Sequence, residues 1–245
     1  MNNCMKILAI DSSGLVATLA IMEEDNLIAE YTIHHKKTHS QTLLPMLEEI
    51  RGMVELNLEE VDVIAIASGP GSFTGLRIGS ATAKGLGMAL GKPLVEIPTL
   101  EGMAYQMYGV TGTICPIMDA RRNQVYTGFY GFGQEETSHT YAMEKLAEAG
   151  AMDIMECIDI CNNINQPVMF LGDGVKVYKK QIINNIKVPV YFAPAHRNLQ
   201  SASSIAARAF SYVESGRLIE AKDHAPKYFR LSQAERERKE KELQG

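Results

Sequence analysis

The stretch Val61–Lys92, VDVIAIASGPGSFTGLRIGSATAKGLGMALGK, decides the architecture. The run 61–67 is almost free of polar atoms and holds β-branched Val63, Ile64 and Ile66. It reads as a strand covered on both faces. Gly69-Pro70-Gly71 breaks that strand, and a helix is expected over about 74–90. Glycine stands at 75, 79, 85 and 87 of this helix. Each interior glycine costs about 1 kcal/mol relative to alanine. Four of them sum to about 4 kcal/mol, a large part of a domain's net stability. Gly75, Gly79, Ala83, Gly87 and Gly91 recur every four residues and line one bare ridge. Such a ridge admits another backbone closely. Arg77, Lys84 and the shortness of the apolar runs exclude a membrane span. Two surfaces can meet the ridge, the chain's own sheet or a partner helix.

Outward from this stretch the pattern repeats. Strands are expected at 6–10, 15–22 and 27–33, then a helix at 40–51, the strand 61–67, the glycine helix, a strand at 94–97 and a helix at 99–108. The second half runs in the same order: strands at 114–118, 124–132 and 138–142, a helical region over 143–161, a strand at 168–171, a helix at 175–184, a strand at 188–192 and a helix at 203–214. Asp11 and Asp119 end the first strand of each half, and Ser-Gly-Pro-Gly at 68–71 answers Leu-Gly-Asp-Gly at 171–174. The chain therefore reads as α/β, a duplicated ribonuclease-H-like unit of the actin-like (ASKHA) kind, with two lobes. The expected division is 1–110, 111–232 and a charged tail, 233–245.

The 245 residues suffice for one large domain or two lobes. A net charge of −5 argues against a surface devoted to nucleic acid, and leaves room for RNA contact made through a partner. No signal peptide precedes the strand that starts at Met5, and a cytoplasmic protein without membrane contact is expected. Cys4, Cys115, Cys157 and Cys161 show no disulfide framework. Cys157 and Cys161 stand four apart without a second pair, which reads as apolar packing, not a zinc site.

Asp11-Ser12-Ser13-Gly14 stands where kinases of this architecture place a phosphate hairpin, whose N–H groups meet phosphate while Asp serves magnesium or water. Its counterpart is Asp119-Ala120-Arg121-Arg122, without glycine, so side chains crowd the clamp. Candidate residues of a vestigial nucleotide cleft are Asp11, Ser12, Gly69, Gly71, Asp119, Arg121, Gly172, Asp173 and Gly174. No cofactor is expected. His35 and His39 lie four apart, but Lys36 and Lys37 intervene, Ser40 reads as a helix cap, and no metal site is expected. The helix from Ser40 carries Leu43, Leu44, Leu47 and Ile50 on one stripe. Core packing is its default reading; with the glycine ridge it also offers half of a four-helix bundle.

The strings MKILAIDSS at 5–13, HSQTLLPML at 39–47, SGPGSFTGLRIGSATAKGLGMALGKPL at 68–94, MDARRNQVY, FLGDG and APKYFR together resemble the TsaB family, also called YeaZ. The resemblance covers nearly the whole chain before the charged tail. It implies a non-catalytic subunit of the bacterial machinery that makes threonylcarbamoyladenosine in tRNA. It further implies binding to a TsaD-like catalytic subunit through a helical bundle, with a TsaE-like ATPase joining; the bare apolar ridge itself leads to the expectation of a homodimer when the chain is alone. The expected partner interface is Leu43, Leu44, Leu47, Arg51, Gly75, Gly79, Ala83 and Gly87. In the TsaD sibling a similar segment leads to a metal motif, HMEGH. The matching residues here are Thr99, Leu100, Glu101, Gly102 and Met103, with both histidines replaced. Neither replacement ligates a cation as imidazole does. Two alternatives stand beside the scaffold reading: an ATP-dependent phosphotransferase of actin-like fold, and a glycoprotease-like metallopeptidase.

Overall fold

A computed structural model describes residues 4–35, 38–135 and 139–229. The first five strands are β1 (Lys6–Asp11), β2 (Ala17–Glu23), β3 (Asn26–Ile33), β4 (Val63–Ala67) and β5 (Leu94–Ile97). They form one sheet in the order β3-β2-β1-β4-β5. The other five are β6 (Thr113–Asp119), β7 (Gln124–Glu135), β8 (Thr140–Asp153), β9 (Val168–Leu171) and β10 (Val190–Phe192). They repeat the order as β8-β7-β6-β9-β10. In both sheets the first three strands run antiparallel and the last two join in parallel. Among the described residues six α-helices cover them: α1 (His39–Met53), α2 (Phe73–Leu90), α3 (Thr99–Tyr105), α4 (Ile154–Ile164), α5 (Gly174–Asn185) and α6 (Ala202–Glu214). This is the duplicated two-lobed, ribonuclease-H-like fold.

Period-two alternation sends the side chains of each strand to two cores. On one face of the first sheet Leu8, Ile10, Leu19, Ile64 and Ile66 pack with α1 and Ala83 of α2. On the other face the small residues Ala9, Ala20, Ala65 and Ala67 meet Ala202, Ile205, Ala206 and Ala209 of α6. In the second sheet Cys115, Ile117, Val168 and Phe170 face α4 and α5. Ile114, Met118 and Leu171 face Leu100, Met103 and Ala104 of α3.

The last helix of each half thus covers the sheet of the other half. The expected division at 110/111 is corrected on this point: α6 belongs to the first lobe. The segment after it stays there too. Ile219 bridges Leu94 at the β5 edge, and Lys227 N–H donates to Ser68 O at 2.8 Å. Glu96 of β5 holds the segment through His224 Nδ1 at 2.7 Å and Lys227 Nζ at 2.9 Å. The charged tail 233–245 lies outside the described residues.

A second correction concerns 143–161. Residues 140–153 form a strand, and helix begins only at Ile154, capped by Asp153 Oδ1 accepting from Met155 N–H. The segment is rich in Ala, Glu, Met and Leu, which favour helix. Pairing along β7, from Thr140 opposite Glu135 to Asp153 opposite Gln124, overrides that weak preference.

Candidate functional site

Asp11 ends β1 fully buried. Its Oδ1 accepts from Ser13 N–H at 2.8 Å and from Ser13 Oγ at 2.6 Å, so the carboxylate closes its own turn. Burial raises its pKa to about 6, against the lowering by the Ser13 bonds. Ser12 Oγ donates to Gly75 O at 2.8 Å, and Ser13 O accepts from Ser72 N–H at 2.7 Å. Gly14 O lies 3.0 Å from His39 Nε2, and the Gln200 side chain sits on the Gly14 Cα. A phosphate hairpin needs free N–H groups over an open space. Here α2, His39 and Gln200 all contact the hairpin. Nothing in the sequence signals Gln200, a single polar residue far along the chain.

The first-lobe glycines have packing reasons. A Cβ on Gly71 would meet Ser13 O, and one on Gly69, at φ +112°, would meet Lys227 O. In the second lobe a Cβ on Gly172, at φ +107°, would strike Ile117 O, and one on Gly174 would come within 2.9 Å of the same oxygen. Asp173 Oδ1 accepts from Asp119 N–H at 3.1 Å, and burial raises the pKa of this carboxyl. Asp119 accepts from Arg121 N–H at 2.9 Å and pairs with the exposed Arg121 guanidinium at 3.3 Å. Arg121, Arg122 and Asn123 all take left-handed φ, of 64°, 56° and 58°. The structure brings each lobe's expected cleft residues together. Gly71 presses against the backbone just after β1, and Gly172 and Gly174 against the backbone near the end of β6, while Gly69 lies against Lys227.

Between the lobes lies a pocket of about 340 Å³ lined by Ser68, Gly69, Glu101, Tyr130, Lys145 and Arg208, among others. Its charges are paired. Glu101 accepts from Arg208 Nε at 2.5 Å and from Tyr212 Oη at 3.0 Å, and Lys145 meets Glu148 at 2.6 Å. Thr99 is buried and its Oγ1 accepts from Gly69 N–H at 3.2 Å. Met103 is buried in the apolar contact between α3 and the second sheet.

The expected interface is corrected by packing. Leu43 and Leu47 are buried in the first-lobe core. Gly75, Gly79, Ala83 and Gly87 form a ridge turned inward. Added Cβ atoms would meet Ser12 O at Gly75, Ser12 Oγ at Gly79, and Leu94 Cδ1 at Gly87, the last at 2.5 Å. The bare ridge lets the Asp11–Gly14 hairpin lie directly on α2. Leu44 and Arg51 do point outward, Leu44 with 55% of its surface exposed. Beside them Met53 and Met88 are exposed, and Gly52 and Gly85 have nothing within 4 Å of a would-be Cβ. Among the described residues Gly85 therefore has no close-packing reason.

The sequence reading also took Cys157 and Cys161 as an isolated pair. The fold adds Cys115 of β6, and all three sulfurs lie within 4.8 Å of one another, fully buried. Burial pushes the Cys115 thiol up, while its hydrogen bond to Cys157 pulls that thiol well down. His39 is engaged with Gly14, and among the described residues no histidine joins a metal-ligating cluster.

A chain named tRNA threonylcarbamoyladenosine biosynthesis protein TsaB from Bacillus subtilis is 32% identical over 234 residues, 94% of this chain and 96% of that one. The chain belongs to the TsaB family. TsaB of Escherichia coli is 33% identical over 129 residues, 51% of this chain and 55% of that TsaB. The family model described as "TsaD: tRNA N6-adenosine threonylcarbamoyltransferase" matches residues 26–238. The structure of YeaZ from Pseudomonas aeruginosa superposes with a TM-score of 0.73 at 23% identity, over 91% of this chain and 99% of that one. A second P. aeruginosa structure, described as similar to peptidase YEAZ, gives 0.76 at 23% identity, over 92% and 100%. These two likenesses bear on the fold, which this TsaB-family chain shares.

Proposed function

We propose that this chain is a non-catalytic subunit of the machinery that makes threonylcarbamoyladenosine in tRNA. It holds and activates a TsaD-like catalytic subunit, which a TsaE-like ATPase joins. The observation that carries the reading is the packed hairpin: the Gln200 side chain lies against Gly14, His39 Nε2 meets Gly14 O, and Ser12 Oγ donates to Gly75 O of α2. The pairing of Glu101 with Arg208 and Tyr212, and the absence of imidazole at 99 and 103, support it further. The family's name for its members supplies the pathway. The outward side of α1 and α2, with Leu44, Met53, Met88 and open Gly52 and Gly85, is the surface that the partner covers. Alone, the chain pairs through the same side with a second copy. No described helix is long and apolar enough to cross a membrane, and the site of action is the cytoplasm.

The test is size-exclusion chromatography with light scattering, on the chain alone and mixed with the TsaD-like protein of the same organism. A one-to-one heterodimer that dissolves any homodimer is expected, and Leu44→Glu weakens it at least tenfold. No shift, even with ATP and a TsaE-like protein present, would detach the chain from this role. Calorimetry with Mg-ATP is expected to show no heat at several temperatures. Micromolar binding that is lost in Asp11→Ala would restore the phosphotransferase reading.

A further inference from the structure

Three of the four cysteines in the chain converge on one point of the second lobe's core. Cys115 comes from the middle of β6. Cys157 and Cys161 come from successive turns of α4, on the side facing the sheet. Their relative exposures are 0%, 0% and 1%, so water does not reach the sulfurs. Cys115 Sγ and Cys157 Sγ are 3.7 Å apart. A tetrahedral ion bound to sulfur at about 2.3 Å separates its ligands by about 3.8 Å. The Thr127 hydroxyl, fully buried, lies 3.3 Å from Cys115 Sγ and 3.8 Å from Cys157 Sγ. That is where an outer-shell group would support sulfur ligands. Around the cluster stand Ile117, Val125, Phe129, Ile158, Val168 and Phe170, which offer no competing polar ligand.

Apolar packing alone has no reason to aim three sulfurs from two elements at one another. We propose that Cys115, Cys157 and Cys161 form a site for one soft, thiolate-seeking cation of the Zn²⁺ or Cu⁺ class. Thiolate sulfur selects such ions over Mg²⁺ or Ca²⁺. Two sulfurs bind Zn²⁺ as thiolates, or one binds Cu⁺, releasing that many protons to solvent, so the ion's charge balances the buried anions and the remaining sulfur atoms bind as neutral thiols. Since the cluster is closed, the ion enters as α4 docks on the sheet during folding. The site ties α4 to β6 and is independent of the role proposed for α1 and α2.

The experiment refolds the full-length chain under a reductant in three parallel arms, with Zn²⁺, with Cu⁺ and with chelator. Bound metal is then measured after desalting. One equivalent per chain is expected in one of the metal arms, together with a melting temperature about 5–10 °C above the chelator arm at a hundredfold excess over Kd. Cys157→Ala is expected to lose the metal and Cys4→Ser to retain it. If Cys157→Ala does not fold, the wild-type chain decides: Cd²⁺ is expected to give a sulfur-to-metal charge-transfer band that saturates at one equivalent. Less than a tenth of an equivalent in both metal arms of a folded protein would overturn the proposal. So would full metal content in folded Cys157→Ala.

Discussion

Two glycines of α2 that look alike in sequence should respond to the same substitution with opposite signs. In Gly75→Ala the new methyl meets the Ser12 carbonyl oxygen, with His39 Cδ2 3.3 Å away. That oxygen belongs to a backbone fixed by Ser12 Oγ on Gly75 O and Ser72 N–H on Ser13 O, so the hairpin itself has to move. Overpacking of this kind costs about 1–3 kcal/mol. The helix regains about 1 kcal/mol from the lost glycine. The net loss is up to about 2 kcal/mol, a fall in Tm of up to roughly 8 °C for a chain of this size. Gly85→Ala enters open space and keeps the whole gain, so Tm rises by about 2–4 °C. Thermal and urea unfolding of the isolated chain, diluted until light scattering shows a monomer, measure both. Equal stabilisation by the two changes would refute the inward ridge. It would return that surface to a partner.

The buried Asp11, with its pKa raised from 3.8 to about 6, withdraws stability as pH rises between those values and leaves it withdrawn above. Asp11→Asn should therefore gain on the wild type across that window by about 2–3 kcal/mol, and a pH-independent difference in urea midpoints would count against the assignment. Glu96 has the opposite sign. The His224 hydrogen bond, with Lys227, lowers its pKa from 4.5 to about 2, so its contribution is present above 4.5 and lost as pH falls through 2. Glu96→Gln should destabilise at neutral pH and free the 217–229 segment to proteolysis; unchanged nicking there would refute the tether. Gln200→Ala opens space over Gly14 and should lower Tm without creating Mg-ATP binding, since His39 and α2 still occupy the hairpin; micromolar ATP binding would show that Gln200 alone closes the site.

Much of the fold was legible because the buried strands are short, apolar and bounded by glycine, and because the two halves punctuate alike. Of the strand at 140–153 only the start was legible. Its residues favour helix, and only the long β7 beside it supplies the competing bonds. The division between lobes was hidden for a related reason, because an amphipathic helix does not encode which sheet it will cover. In the site, the close approach implied by the glycine ridge was readable but its occupant was not. Only the folded chain brings Ser12 and Ser13 against Gly75, Gly79 and Gly71. Leu43 and Leu44 adjoin in sequence and separate by one step of helical rotation into core and surface. Cys115 stands 42 residues from Cys157, beyond any local spacing rule.

The exchange of α3 and α6 between the two sheets turns the duplication into a mutual obligation. A fragment ending near residue 110 would hold a sheet with one apolar face uncovered and a helix with nothing to cover. The complementary fragment would be in the same position with the roles reversed. Such halves can satisfy each other, so they should reassemble when mixed. An ancestor with a single repeat would have met the same demand by pairing with its own copy. In the present chain neither sheet is covered on both faces unless the other half is folded beside it.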